Sequence, residues 1–406
     1  MTVRRMENPV MAYAWGSRDA IATLQGRPAA TDSEAELWMG AHPAAPSRLQ
    51  SSDGEPAQGL DAIIAADPLG VLGKDCLERF GPRLPFLLKV LAAEQPLSLQ
   101  VHPDDAQARR GFAAEDAAGI ERDSAQRWYR DPYAKPEMLV ALTDFEVLQG
   151  FRPADEAAAV LGGLGIDRLD PLTDALRSGT PTGEVFLRLI EWPRADRAAL
   201  VADVSSAGAG GVVGGWVARL AAAYPSDPGV VGVLLLNYLT LRPSQGLYVR
   251  PGQIHAYLHG FGVEILGGSD NVIRGGLTPK QVSGSELRAI LAVDAAEPAV
   301  VEPAPVETVQ LDAPAGAEQI WMTPQPEFEL RRKHIGATGK AARELLAAGG
   351  PAVLLCLEGQ LQICDRDGAL TIGPGESAFA FAGAELEVGG SGVLLLATPG
   401  ATPRVA

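Results

Sequence analysis

Residues 246–260 read GLYVRPGQIHAYLHG, two apolar runs joined by an Arg-Pro-Gly turn. Apolar runs on either side of such a turn predict two β-strands that follow each other closely. Strand character already begins just before this stretch, in VGVLLLNYLTL, where a long segment of helical pattern ends. The stretch therefore marks the point at which the chain returns from helices to strands.

The first third of the chain contains further strand candidates. They are LPFLLKVLAA from Leu84, PLSLQVHP from Pro96 to Pro103, and EMLVALTDFEVLQGF from Glu137 to Phe151. Between them, DDAQARRGFAAEDA has helical composition, with Asp104 or Asp105 as a candidate N-cap. The strands before the helical segment and those after it are each too few for a stable barrel, so we expect them to form one sheet system.

The rest of the chain divides into a helical and a β-rich part. From Pro153 to Gly229 the pattern is helical and broken by Gly, Pro and Asp, which indicates an insertion in the sheet. Beyond about Ala295, the Pro-rich acidic stretch DAAEPAVVEPAPVETVQL indicates a linker or extended connection. Short strands then alternate with turns roughly every eight to twelve residues, which is typical of a sandwich or small barrel. The predicted units are residues 1–152 with 230–294, residues 153–229, and residues 295–406.

Bulk composition excludes several classes of function. The 406 residues are too many for one compact core, and 47% hydrophobic and 21% charged residues are ordinary for a globular protein. A net charge of -16 argues against nucleic acid or an anionic membrane as a partner, because those need clustered positive charge. The three cysteines form no CxxC pair, so we expect neither a disulfide framework nor a Cys-based zinc site. Without an apolar run of about 20 residues or a signal-peptide pattern, we expect a cytoplasmic protein.

Histidine occurs only five times, which makes each position a candidate for chemistry. Side chains alternate along a strand, so Gln100 and His102 of PLSLQVHP point to the same face, which Ser98 shares. An amide oxygen beside an imidazole nitrogen suits a borderline metal such as zinc. The alternative is a partly buried histidine at a strand end with its hydrogen bonds satisfied. His255 and Tyr257 likewise share a strand face directly after the Pro-Gly turn.

Two groups of charged residues also need an explanation. Glu137 begins an apolar strand, where a carboxylate is costly to bury unless it is coordinated or paired, for example with Lys135. The Gly-rich loop VEILGGSDNVIRGGLTPK carries Glu264, Asp270, Arg274 and Lys280. A loop with two acids and two bases is what an anionic sugar site would use, but a surface loop with incidental charges has the same pattern.

Together, these stretches resemble the type I phosphomannose isomerases. The matching strings are YAWGSRDAIA, AELWMGAHP, LPFLLKVL, LSLQVHPDD, YAKPEM, FEVLQGFR, GLYVRPGQIHAYLHG and SDNVIRGGLTPK. They stand in the family's order and cover most of the chain up to Lys280, whereas the C-terminal third matches only loosely. The resemblance implies a mainly β protein with a helical insertion: two cupin-like β-barrel (jelly-roll) domains plus an α-helical domain.

The resemblance also implies a metal site and a set of active-site residues. The zinc ligands, for one ion per chain, would be Gln100, His102, Glu137 and His255. Arg274 would be required for catalysis. Further active-site positions of the family fall on Trp15, Glu36, Lys89, Ser98, Lys135, Tyr257, Glu264, Asp270 and Lys280.

The implied reaction is the interconversion of D-mannose 6-phosphate and D-fructose 6-phosphate through a cis-enediolate. Zinc would act as a Lewis acid on the developing oxyanion, and Arg274 would add fixed positive charge there. The general base is left open between Glu264, Asp270 and a water on the zinc. The candidates for phosphate binding or ring opening are Lys89, Lys135 and Lys280.

Two other functions compete with this interpretation. An iron-dependent cupin oxygenase would use two histidines on a tighter spacing, and Gln100 stands where a histidine would be expected. A non-enzymatic sugar sensor would be expected to have lost Arg274 or a ligand, and all of these are present. The preferred prediction is an isomerase that acts as a monomer on a small sugar phosphate, without nucleic acid or membrane partners.

Overall fold

The computed structural model describes residues 2–50, 56–306, 318–336, 344–347 and 350–401. Most elements in these ranges are β-strands. The strands are β1 Val3–Glu7, β2 Val10–Met11, β3 Glu36–Met39, β4 Arg48–Leu49, β5 Gln58–Gly59, β6 Phe86–Ala93, β7 Leu99–Val101, β8 Glu137–Ala141, β9 Phe145–Phe151, β10 Leu236–Leu241, β11 Gly246–Val249, β12 His255–Gly267, β13 Ile273–Gly276, β14 Val300–Val301, β15 Ala304–Pro305, β16 Glu318–Trp321, β17 Glu329–Ile335, β18 Glu344–Ala347, β19 Ala352–Asp365, β20 Gly368–Ile372, β21 Ser377–Ala380 and β22 Glu385–Thr398.

Most of the helices lie between β9 and β10. The helices are α1 Ala20–Leu24, α2 Leu60–Ala66, α3 Pro68–Phe80, α4 Asp105–Ala117, α5 Ala154–Gly162, α6 Asp170–Arg177, α7 Thr182–Ile190, α8 Arg197–Ala207, α9 Gly211–Ala223, α10 Gly229–Gly232 and α11 Gly284–Ile290. Short 3-10 turns are Asp167–Leu169, Arg194–Asp196 and Val233–Leu235. Among the described residues, no helix is long and apolar enough to cross a membrane.

The long strand β12 organises the first sheet, here called the catalytic sheet because it carries most of the site residues predicted from the sequence. Its second half pairs antiparallel with β6 on one side and β8 on the other. Its first half pairs with β7 and β9, which precede the helical segment, and β9 also pairs with β10, which follows it. The prediction that strands on both sides of the helices form one sheet system is therefore confirmed.

Glycine at position 260 allows β12 to pass between these two sets of partners. Gly260 has φ +144°, and a Cβ there would lie 2.6 Å from the ring of Phe145. A side chain at this position would therefore collide with a fully buried ring in a backbone conformation that favours glycine.

The second sheet, here called the C-terminal sheet, contains the strands β15 to β22, joined by β1, β4 and β5. Val3 of β1 pairs with Ala380 of β21, so the first strand belongs to this sheet, although the predicted division placed it in the unit of residues 1–152. Conversely, β14 belongs to the predicted unit of residues 295–406 but pairs with β11 of the catalytic sheet. Periodicity gives a strand's buried face but not its partner, which explains the difference. Of the predicted linker, residues 307–311 lie outside the described residues.

The helical segment shares its core with the catalytic sheet. Phe186 of α7 and Trp216 of α9 belong to the same buried cluster as Phe151 and Ile273 of the strands. A Cβ on Gly232 would lie 2.6 Å from the Phe186 ring, so this glycine permits close packing. Burying side chains of this size contributes about 1.5–3 kcal/mol each, and this holds the helices against the sheet.

Candidate metal centre and substrate cavity

The metal-site candidates meet where β7, β8 and β12 come together. His255, the first residue of β12, pairs directly with Gln100 of β7, and Gln100 also pairs with Arg274 of β13. His102 follows one residue after β7 ends. There the chain turns into α4, whose predicted N-cap Asp104 forms a capping box with Gln107. The cap fixes the start of α4 directly after Asp104, two residues beyond His102.

Glu137 lies between the two histidines. Its Oε1 is 3.3 Å from His102 Nε2, and its Oε2 is 3.3 Å from His255 Nε2. All three side chains are buried, and their candidate ligand atoms lie within 4.8 Å of one another. Lys135 Nζ also lies 3.0 Å from Glu137 Oε1. The sequence had left pairing and coordination of Glu137 as alternatives. The pairing with Lys135 is present, and the arrangement of the three side chains is also compatible with coordination of a metal ion.

Hydrogen bonds at the far ring nitrogens fix the tautomers of both histidines. His102 Nδ1 is 2.7 Å from the carbonyl oxygen of Asn271, and His255 Nδ1 is 3.3 Å from that of Gln253. A carbonyl only accepts, so each Nδ1 carries the proton and each Nε2 presents a lone pair to Glu137. His102 Nε2 has no hydrogen-bond partner among the described residues.

Protonation of His102 would not resolve this convergence near neutral pH. Burial lowers the pKa of His102 to about 4, so its ring is neutral. Although burial opposes it, the charge of Lys135 holds the pKa of Glu137 well below its usual range, so the carboxylate is ionised. Two imidazole lone pairs facing a carboxylate are stable together only around a cation. The residues present therefore fit a bound metal ion.

A cavity of about 710 Å³ opens from this centre. The predicted site residues that line it are Trp15, Glu36, Lys89, Ser98, Gln100, Lys135, Glu137, His255, Tyr257, Glu264, Asp270, Arg274 and Lys280. His102 is the exception, because it is completely buried behind the cavity wall. The hydroxyl of Tyr257 is buried without a hydrogen-bond partner among the described residues, so it is available to a ligand.

A buried group of charges lies on one wall of the cavity. Lys89 Nζ is 3.3 Å from both Glu36 Oε1 and Glu264 Oε2, and it lies 5.2 Å from the centre of the Trp38 ring. Burial opposes the charge of Lys89, but the two carboxylates raise its pKa, so it remains protonated. Burial, reinforced by the charge of Glu137, raises the pKa of Glu264. Glu264 is therefore a stronger base than an exposed glutamate.

Asp270 differs from Glu264 in its environment. Its Oδ1 lies 3.1 Å from His42 Nε2, a pairing that the sequence did not reveal. Burial raises its pKa, but the hydrogen bond and charge of His42 outweigh this and lower it. Asp270 therefore stays ionised and is a weaker base than Glu264.

Positive charge is concentrated towards the mouth of the cavity. Arg274 is partly buried, Lys280 is exposed, and neither forms a salt bridge within the described ranges. Burial and the charge of Arg130 lower the pKa of Arg274, while the charge of Arg274 and then burial lower that of Lys280. These mutually repelling cations suit an anion. Arg130 was missed from the sequence because it precedes the matching string YAKPEM.

One further cation comes from the helical segment. Arg219 of α9 lines the cavity and lies 4.1 Å from the centre of the Trp216 ring. Trp216 Nε1 in turn donates to Glu146 at 3.0 Å. No motif marks Arg219, and only the packing of α9 against the sheet brings it to the cavity.

A buried centre of two histidines and a carboxylate, at the base of a cavity with acids, bases and unpaired cations, defines a metal-dependent enzyme for an anionic substrate. Residues 3–154 match the family model "Phosphomannose isomerase type I, catalytic domain". The mannose-6-phosphate isomerase of Escherichia coli (strain K12) is 34% identical over 385 residues, covering 93% of this chain and 94% of that protein. The Bos taurus mannose-6-phosphate isomerase is 30% identical over 419 residues, covering 91% and 92%.

Solved structures of mannose 6-phosphate isomerases are also similar to this chain. The mannose 6-phosphate isomerase from Salmonella typhimurium bound to its substrate and a zinc atom has a TM-score of 0.88 at 32% identity, covering 99% of this chain and 100% of that one. A zinc-bound holo mannose 6-phosphate isomerase gives the same values. This chain belongs to the family of type I mannose-6-phosphate isomerases. The predictions of the family and of its isomerase activity are therefore confirmed, and the predicted zinc agrees with the geometry of the triad.

Proposed function

We propose that this chain interconverts D-mannose 6-phosphate and D-fructose 6-phosphate at one zinc ion held by Gln100, His102, Glu137 and His255. The observation that carries the proposal is the convergence of both Nε2 atoms on the Glu137 carboxylate. Gln100 completes the set because it pairs with His255 across the strands and lines the same cavity. When bound, the zinc supplies Lewis acidity at the oxygen that becomes negative in the enediolate.

Glu264 is the base that moves the proton between C1 and C2. Its raised pKa brings it closer to neutral pH than that of Asp270, which improves the match between base strength and working pH. Lys89, 3.3 Å away, holds the carboxylate in place and keeps it ionised when the substrate is absent. Glu36 lies on the other side of Lys89, with its Oε1 3.3 Å from the Lys89 Nζ, and so fixes the position of the ammonium group.

Arg274 and Lys280 bind the anionic parts of the substrate. Arg274 neighbours Gln100 across the strands, so its charge lies near the metal end, where the enediolate forms. Lys280 is exposed at the mouth, where Arg130 adds to the positive field and favours the phosphate. Lys89 and Lys135 belong to the reacting end, because both are buried against carboxylates.

The remaining predicted residues position the sugar. Trp15 stacks on Tyr13 with ring centres 5.7 Å apart at the cavity wall, and Ser98 and Tyr257 present hydroxyl groups to the same space. Glu36 and Lys135 accept and donate hydrogen bonds at its base. A hydroxyl-rich substrate needs such a set of donors and acceptors around an apolar platform.

The architecture proposed from the resemblance is two cupin-like barrels, formed by residues 1–152 with 230–294 and by residues 295–406, with a helical domain at 153–229. The two strand systems and the helices between β9 and β10 support this division. The pairing of β1 with β21 moves the first strand to the second barrel. We also propose a monomer, for which sedimentation of the purified chain is the test.

The decisive experiment replaces His255 with Ala and uses His259→Ala as its matched control, since His259 lies on the same strand but is exposed. We expect His255→Ala to lose bound zinc and isomerase activity, because the remaining ligands cannot complete the site. Zinc per chain by mass spectrometry and a coupled assay on mannose 6-phosphate measure both. Full zinc and full activity in His255→Ala would refute the ligand set.

A further inference from the structure

We propose that Asn271 is a positioning residue that couples the metal centre to the substrate-binding end of the cavity. Its main-chain carbonyl orients the ligand His102, and its side chain holds the segment 130–133. The inference rests on the proposed zinc site, which gives the orientation of His102 its purpose.

The main-chain contact acts on the metal centre. The Asn271 carbonyl oxygen accepts a hydrogen bond from His102 Nδ1 at 2.7 Å, and both residues are completely buried. This contact keeps the proton on Nδ1 and aims the Nε2 lone pair at Glu137. Such outer contacts of a ligating histidine fix its tautomer and ring orientation. A carbonyl can do this only if its own backbone is held in place.

The Asn271 side chain holds that backbone against one other segment. Its Oδ1 accepts from the backbone N–H of Arg130 at 2.7 Å. Its Nδ2 donates to the carbonyls of Asp131 at 2.8 Å and Tyr133 at 3.0 Å. The amide thus satisfies both its donors and its acceptor on residues 130–133. An aspartate would lose both donors, and a glutamine would be too long for the same three contacts.

This segment leads to the functional groups at both ends of the cavity. It begins with Arg130, whose charge acts on Arg274 and Lys280. Two residues beyond it comes Lys135, which pairs with Glu137 at 3.0 Å. Release of the Asn271 amide therefore loosens the metal ligand and the anion-binding cations together. An amide that only stabilised the fold would change neither.

The test is the zinc affinity of the purified full-length chain, measured by competition with a fluorescent zinc chelator. We expect Asn271→Ala to weaken zinc binding about 10–100-fold, the usual effect of losing such an outer contact. KM for mannose 6-phosphate should rise as well, measured at saturating zinc. The matched control is Asn237→Ala: Asn237 Nδ2 also bridges backbone carbonyls, those of Phe151 and Ala296 among them, but it orients no proposed ligand. Its zinc affinity should equal that of the unmodified chain.

Folded Asn271→Ala with zinc affinity within about twofold of the unmodified chain would overturn the proposal. If this variant does not fold, Asn271→Gln replaces it, because the longer amide is neutral but cannot make the same three contacts to residues 130–133. Unchanged zinc affinity there overturns the proposal equally. His255→Ala in the same assay separates the two ideas: if it also binds zinc normally, the ligand set has failed rather than the positioning role.

Discussion

The catalytic and C-terminal sheets are alike in size and pairing, yet their interiors differ. Among the described residues each has eleven strands with antiparallel pairing. The catalytic sheet buries the charged or ionisable side chains Glu36, Lys89, Glu137, His255 and Glu264, whereas the strands of the C-terminal sheet bury Ser377 and Thr398 as their polar residues. The first interior is open as a cavity of about 710 Å³, and the second is filled with aliphatic side chains.

This difference shows where function resides in a molecule built from two similar sheets. Buried charges cost several kcal/mol each unless they are paired or coordinated, so a sheet keeps them only where chemistry needs them. The C-terminal sheet carries no such cost in the part that the structure describes. The C-terminal sheet stabilises the fold by burying apolar surface. The catalytic sheet buries less apolar surface because a cavity occupies part of its interior.

The largest effect is expected from Glu264→Gln in the catalytic sheet. Loss of the proposed base should lower kcat about 10²–10⁴-fold. KM and bound zinc should change little, because Glu264 touches neither the phosphate end nor the ligands' outer contacts. A coupled assay and metal analysis measure these quantities. Glu385→Gln, an exposed acid of the C-terminal sheet, is the control, and an equal loss of kcat in both variants would contradict the comparison.

A smaller effect is expected from Lys280→Ala at the cavity mouth. Loss of one charged hydrogen bond to phosphate, worth about 1.5–3 kcal/mol, should raise KM roughly 10–100-fold with little change in kcat. Lys74→Ala is the control, because Lys74 is a highly exposed lysine far from the metal ligands in sequence and paired with Glu78. Initial rates across a range of mannose 6-phosphate concentrations test this. A fall in kcat at constant KM would move Lys280 from the phosphate to the reacting end.

The smallest effect on activity is expected from Leu354→Ala in the C-terminal sheet. Leu354 is fully buried in the aliphatic cluster of that sheet, so truncation should cost about 2–5 kcal/mol of unfolding free energy. The kcat, KM and zinc content of the folded molecules should stay the same. Urea unfolding followed alongside the coupled assay separates stability from activity. A selective loss of kcat in folded Leu354→Ala would show that the two sheets do not divide the work in this way.

The sequence predicted features that depend on local pattern. Strand alternation placed Gln100 and His102 on one face, and the cost of burying Glu137 marked it as paired or coordinated. The helical insertion followed from a change of periodicity, and resemblance to a family joined the distant ligands.

What the sequence did not predict depends on contacts between distant segments. The salt bridge of His42 with Asp270, the place of Arg219 beside the cavity and the charge of Arg130 near Arg274 carry no local signal. The task of Asn271 is performed partly by a backbone carbonyl, which every residue type possesses. For the same reason, the pattern of β1 indicated a strand without indicating its partner β21.

The pairing of Val3–Glu7 with Ser377–Ala380 has a consequence for the order of events on the ribosome. β1 waits for this partner until more than three hundred further residues have been made, because Val3 pairs with Ala380. At a synthesis rate of about 5–20 residues per second, that delay lasts some tens of seconds. During this time β1 presents unpaired backbone groups to its surroundings. On its other edge β1 can pair with β4 early, so only the edge that faces β21 has to wait until all strands of the catalytic sheet have been made.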